Sequence, residues 1–268
     1  MAVKIMNGKA KQLSQGLISI IYGVPGGGKT FACRTLPDNK YDNNGKMIRQ
    51  TVVLDFDKGT EPLLGKDITI ISIPFPKIGK EIAEFKKIIE AIETGGAYQG
   101  IRFDNVKHLI IDNISELLRF FQDGFTKFNK RTTTTLGEYN VSSQRIMEYV
   151  RRLRDLKDKG IWTTLIAHED IIKTVDENGI ELSKLCPKVG LTKIKEIMGL
   201  VDIVGRVEYD YSKDKKNNVQ SRLIRIAEDP KIHAKMRVTG FLERYGETVE
   251  QDLNKLYTNI YKLKQERM

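Results

Sequence analysis

Eight consecutive residues, Gly23-Val24-Pro25-Gly26-Gly27-Gly28-Lys29-Thr30, have the types and spacing to hold a chain of phosphates. Small residues let the backbone N–H groups turn inward onto phosphate oxygens, at the start of a helix whose positive end favours the same anion. In this pattern Lys29 reaches the β and γ phosphates of ATP, Thr30 binds Mg²⁺, and Phe31 closes the nucleotide-contacting stretch. The motif directly follows the apolar run Leu17-Ile18-Ser19-Ile20-Ile21-Tyr22, the strand it requires. A second acidic residue is needed beside the metal. His108-Leu109-Ile110-Ile111-Asp112 supplies one at the end of a buried strand, so Asp112 is the Mg²⁺ partner of Thr30. Hydrolysis also needs a group that orients or deprotonates water. Asp57, at the tip of Val52-Val53-Leu54-Asp55-Phe56-Asp57, is the expected general base, with Asp55 as the alternative.

The elements that must position these groups follow a β/α succession. Strands are expected near Leu17 to Tyr22, Thr51 to Phe56, Ile68 to Ile73, Lys107 to Asp112 and Ile161 to Ala167. Helices are expected from the phosphate loop onward, over Lys80 to Thr94, Ser115 to Gln122, and Ser142 to Lys159 with Ser142 or Ser143 as N-cap. Solid apolar strands such as Leu109-Ile110-Ile111 predict a mostly parallel sheet covered on both faces. Ile203 to Tyr211 and Val219 to Ile226 alternate apolar and polar residues around Ser212 to Asn218, the pattern of an antiparallel hairpin. An amphipathic helix, with Leu253, Leu256, Ile260 and Leu263 on one side, closes the chain over roughly 248–267.

With 268 residues and 40% hydrophobic content, a single α/β domain over 1–268 is expected. No apolar run approaches a membrane span, and Met1 to Gly8 lacks the layout of a secretory signal. Cys33 and Cys186 stand far apart, and His108, His168 and His233 form no zinc-type pair, so neither a disulfide framework nor a zinc site is indicated. The net charge of +10 favours a polyanionic partner.

The phosphate loop, the Asp-x-Asp step at the next strand end, and a lone Asp112 followed by Asn113 resemble the core of RecA-type ATPases. Typical AAA+ enzymes place a catalytic Glu where Asn113 stands. The chain looks most like short phage-encoded nucleotide-binding proteins of this kind, including the Sak-four group of single-strand annealing recombinases, over about residues 17–240. That resemblance implies a RecA-like α/β fold, ATP with Mg²⁺, and slow, DNA-stimulated hydrolysis, since the family usually has Glu at the position of Asp57. It implies that His168 senses the γ phosphate, and that Lys235 and Arg237 act in trans on a neighbour's ATP within a ring or filament. It further implies single-stranded DNA on two loops. The first is Phe121 to Asn140, with Lys127, Phe128, Lys130, Arg131 and Tyr139; the second is Asp170 to Leu200, with Lys188 and Lys193. A phage recombination protein in the bacterial cytoplasm, working beside a single-strand DNA-binding protein, is the expectation. A helicase loader or motor acting on a protein is the alternative, and a small-molecule kinase is disfavoured because no Arg-rich lid follows the phosphate loop.

Overall fold

The computed structural model describes residues 16–76, 80–175, 179, 181–190, 193–210 and 221–267. Met1 to Gln15 and the expected hairpin turn at Ser212 to Asn218 lie outside these residues. The strands are β1 (Ile18–Gly23), β2 (Lys40–Tyr41), β3 (Met47–Asp55), β4 (Thr69–Ser72), β5 (Ala97–Tyr98), β6 (Ile101–Arg102), β7 (Val106–Asp112), β8 (Trp162–Val175), β9 (Glu181–Pro187), β10 (Ile203–Asp210), β11 (Ser221–Arg225), β12 (Lys235–Met236) and β13 (Thr248–Glu250). The helices are α1 (Lys29–Cys33), α2 (Glu81–Thr94), α3 (Ile114–Phe128), α4 (Leu136–Asp155), α5 (Ile194–Leu200), α6 (Phe241–Tyr245) and α7 (Leu253–Glu266).

Strands β4, β3, β7, β8, β1 and β10 form the parallel centre of one sheet, in that order. β8 therefore lies between the phosphate-loop strand and the strand that ends in Asp112. Beyond β10 the sheet turns antiparallel through β11 and β13. Register decides what meets at the carboxyl edge: Gly23 pairs with His168, and Asp55 pairs with Asp112. Four positions distant in sequence thus reach one rim, where open α/β sheets bind ligands.

Both faces of the sheet are covered, which explains why β1 is buried at every residue. On one face, Phe56, Phe85, Phe120, Phe121 and Tyr149 form an edge-to-face and stacked aromatic cluster beneath α2, α3 and α4. On the other, α1 and the apolar stripe of α7 pack on Ile21, Val53 and Ile110. The buried Tyr257 of α7 brings its hydroxyl 2.7 Å from Ser19 Oγ and 2.6 Å from Thr164 Oγ1.

Two expected loops are corrected. The third helix runs to Phe128, and the fourth begins at Leu136, so Phe121 to Asn140 is a helix–turn–helix rather than a long loop. The reason is local: Thr135 and Glu138 exchange the two bonds of a capping box. That box starts α4 well before Ser142, and Ser142 and Ser143 are buried within the helix. β8 likewise extends to Val175 and pairs antiparallel with β9, so Asp170 to Leu200 contains a β-ladder and α5 rather than an open loop. Among the described residues, no helix is long and apolar enough to cross a membrane.

Candidate functional site

Gly23 to Thr30 turns from β1 into α1, and its later residues line a cavity of about 380 Å³ with Asp57, Asp112, Asn113, His168 and Arg222. Gly26 and Gly28 sit at φ 71° and 87°, backbone that side chains rarely adopt. At Gly28 a Cβ would also lie 2.6 Å from Arg222 Nη1 and 2.8 Å from Gln251 Nε2. Because α1 has only five residues, the cradle rests on the loop's own N–H groups more than on a helix dipole. The Lys29 ammonium donates to Val24 O at 2.8 Å, within the loop it serves. Burial lowers its pKa, and the charges of Asp112, Asp57 and Glu169 oppose that shift.

Thr30 Oγ1 donates to Asp112 Oδ2 at 2.7 Å, joining the hydroxyl and the carboxylate expected at the metal. Asp112 is 1% exposed. Burial, with Asp57 and Asp55 nearby, raises its pKa to about 7 against the Thr30 bond and Lys29. A carboxylate so crowded by its own charge gains most from a cation, so the pair fits Mg²⁺. Among the described residues, no group of three or more His, Cys, Asp or Glu could hold a metal unaided. Mg²⁺ does not need one, since it keeps water and substrate phosphate oxygens as ligands.

The two acidic candidates on the strand after α1 separate. Asp55 is buried and accepts from Lys58 N at 2.8 Å, its pKa raised chiefly by burial. Asp57 is exposed and lines the cavity. Its Oδ2 accepts from Asn113 Nδ2 at 2.6 Å and its Oδ1 from Gly59 N at 2.8 Å.

Asn113 does more than stand in for an absent Glu. Its Oδ1 caps α3 by accepting from Glu116 N at 2.8 Å, while its amide nitrogen reaches Asp57 and lies 3.3 Å from His168 Nε2. One side chain therefore ties Asp57, His168 and the start of α3 together. Burial, then the Lys29 charge, lowers the His168 pKa, which favours the neutral imidazole. His168 N donates to Ser115 Oγ, which donates to Lys188 O at 2.7 Å. Lys188 in turn lines a second cleft with Tyr139, Arg119 and Asp170. Tyr139 and Lys188, predicted on separate loops, thus share one surface.

The other nucleic-acid candidates scatter. Lys127 donates to Pro76 O and sits over the Phe75 ring, Arg131 pairs with the nearly buried Glu138, and Lys193 pairs with Glu196. Phe128 is 72% exposed, and Lys130 stands in the α3–α4 turn. Lys235 and Arg237 lie away from their own phosphate loop: Lys235 pairs with Val204, level with Ile20 in the middle of β1, and Arg237 N donates to Asp202 O, whose own N–H bonds Ile18 at the far end of that strand. Their cationic groups hold the last carbonyls of α5: Lys235 bonds Met198 O and Val201 O, and Arg237 bonds Gly199 O.

Arg222 escaped the sequence reading. β11 brings it to the phosphate loop, over the Tyr209 ring, with its Nε buried and unpaired among the described residues. Gln251, just after β13, donates to Gly28 O at 2.6 Å. Neither belongs to a motif. Only the alternation of β11, read with its antiparallel register, would have put Arg222 near the cavity.

A protein-family model described as an AAA domain matches residues 15–238. Comparison with curated proteins gave no match.

Proposed function

The chain belongs to the AAA-domain family of P-loop ATPases, and from that premise we propose that it is a RecA-like ATPase that couples ATP hydrolysis to single-stranded DNA in recombination, as a homo-oligomer. The observation that carries this reading is the unbroken path from Asp57 through Asn113, His168 and Ser115 to Lys188, which joins the ATP cavity to the Tyr139 cleft.

The proposed reaction is in-line attack of water on the γ phosphorus, forming a P–O bond as the bond to the β-phosphate oxygen breaks. Lys29 neutralises charge that grows on the phosphoryl oxygens, and Arg222 adds a second cation from the same chain. Thr30 and Asp112 would hold Mg²⁺, which would supply Lewis-acid charge to the phosphate oxygens. Asp57 orients the water and accepts its proton, while the Asn113 amide keeps that carboxylate at the cavity. The same amide touches His168, so a change at Asp57 as phosphate departs reaches the backbone of Lys188 through Ser115. Lys188, Arg119 and Tyr139 along that cleft offer phosphate contact with base stacking and no sequence reading, beside three carboxylates, Glu116, Asp123 and Asp170, that line it as well. Lys235 and Arg237 lie away from their own ATP, consistent with service to a neighbour in a head-to-tail assembly.

The deciding measurement is the steady-state ATPase rate with and without unstructured single-stranded DNA, at low and moderate salt. Stimulation that fades with salt is expected, because phosphate contacts release counterions. A rate indifferent to DNA despite intact ATP binding would replace recombination with a loader that acts on a protein.

A further inference from the structure

At the edge of the sheet opposite the ATP cavity, a second cavity of about 350 Å³ opens between the start of β1, the β12–α6 segment and the last turn of α7. Four cations line it, Lys157, Arg237, Lys264 and Arg267, with one carboxylate, Asp202. Asp202 is already committed. It is 4% exposed, one oxygen accepts from Ile18 N at 3.0 Å, and Lys157 Nζ stands 2.7 and 2.8 Å from its two oxygens. Arg237 Nη1 is 3.8 Å away, with its other nitrogen on Gly199 O.

Lys264 is the unexplained group. It is half-buried, and among the described residues no acceptor lies within hydrogen-bonding or ion-pair reach of its ammonium. Burial lowers its pKa, the charge of Asp202 across the cavity opposes that shift, and Lys157 adds to it. Arg267, the last residue described, bends over the same opening, its Nη2 so close to Gly240 that a Cβ there would lie 2.1 Å away. Holding unpaired cations together in a concave, partly dry site is unfavourable unless an anion neutralises them.

We propose that this basal cavity binds a phosphoryl oxyanion, held by Lys264 and Arg267 with Arg237, at a site separate from the P-loop. Two sources offer that chemistry: a small phosphate free in solution, or the nucleotide phosphates of another copy docked against this face. The inference does not depend on DNA binding, and only the second source rests on the proposed assembly.

The test uses the full chain carrying Lys29→Ala, which weakens phosphate capture at the P-loop, and pyrophosphate as probe. Calorimetry is expected to detect pyrophosphate binding that Lys264→Met weakens roughly ten- to a hundredfold, the loss of one charge-assisted contact. Arg267→Gln should act in the same direction, and Lys86→Met on the outer face of α2 should leave affinity unchanged. Methionine keeps the aliphatic packing of Lys264, and an unaltered melting temperature without ligand checks the fold. Binding at any protein concentration assigns a free phosphate. Absence of pyrophosphate binding, together with ATP-dependent self-association of the unmutated chain that Lys264→Met abolishes, assigns a neighbour's nucleotide. Pyrophosphate binding indifferent to both substitutions, or neither binding nor such self-association, overturns the proposal.

Discussion

Replacing Asp112 with asparagine removes a charge at a site where the empty protein holds it at a cost, and the pH dependence of that cost is specific. The carboxyl pKa rises from 3.8 to about 7 on folding, chiefly through burial. Because the folded value lies above the unfolded one, the folded state binds the proton more tightly. Stability from the neutral acid is complete below pH 3.8 and is lost as pH rises to about 7. That rise corresponds to about 4 kcal/mol, or roughly 10 °C in melting temperature for a chain of this size. The substituted amide would be neutral throughout, and its carbonyl oxygen can still accept from Thr30. Without nucleotide or Mg²⁺, Asp112→Asn should therefore melt progressively higher than the parent as pH climbs from about 4 to about 8, levelling off above that. Thermal unfolding followed by circular dichroism at several pH values measures the gap. Excess Mg·ATP should narrow it by stabilising the parent more than the variant, while the variant loses turnover. A gap that stays constant with pH would refute the claim that a raised Asp112 pKa primes the site for a cation.

Lys29→Ala should abolish ATP turnover, and Asp57→Asn should leave nucleotide affinity within about twofold while reducing the rate by roughly 10² or more; filter binding and phosphate release separate the two. Arg222→Gln should weaken ATP binding about tenfold or more, with a smaller effect on AMP, because the lost charge faces the phosphate loop; equal losses for both nucleotides would move Arg222 to a packing role. If Arg237 acts in trans, mixing inactive Lys29→Ala with inactive Arg237→Ala protein should restore part of the activity, as an intact cleft in one copy meets an intact Arg237 in the next. A mixture no more active than its parts confines Arg237 to the end of α5.

The phosphate site was legible because its motif is short-range: Gly23 to Thr30 adjoin in sequence, and Asp112 ends an unmistakably apolar strand. The parallel sheet followed from the same runs. Helix ends were less legible. Ser142 and Ser143 have the right type for an N-cap, but the reciprocal bonds of Thr135 and Glu138 outcompete them, and a supposed long loop became two helices joined by a short turn. Arg222 depends on how β11 aligns with β10, and that pairing spans a segment without periodic signal. The role of Asn113 was not legible, because Asp57 reaches it from beyond β3 and His168 from within β8.

The family match stops at residue 238, yet Tyr257 lies well beyond it with its hydroxyl wedged between Ser19 and Thr164 of two central strands. Gln251, also outside, holds the carbonyl of Gly28. A protein trimmed at the match boundary would expose the Ile21, Val53 and Ile110 face of the sheet to water, take the Tyr257 hydroxyl away from Ser19 and Thr164, and release the phosphate loop from behind. The C-terminal helix is thus part of the floor on which the nucleotide rests, and the smallest soluble unit of this ATPase should reach at least to Leu263.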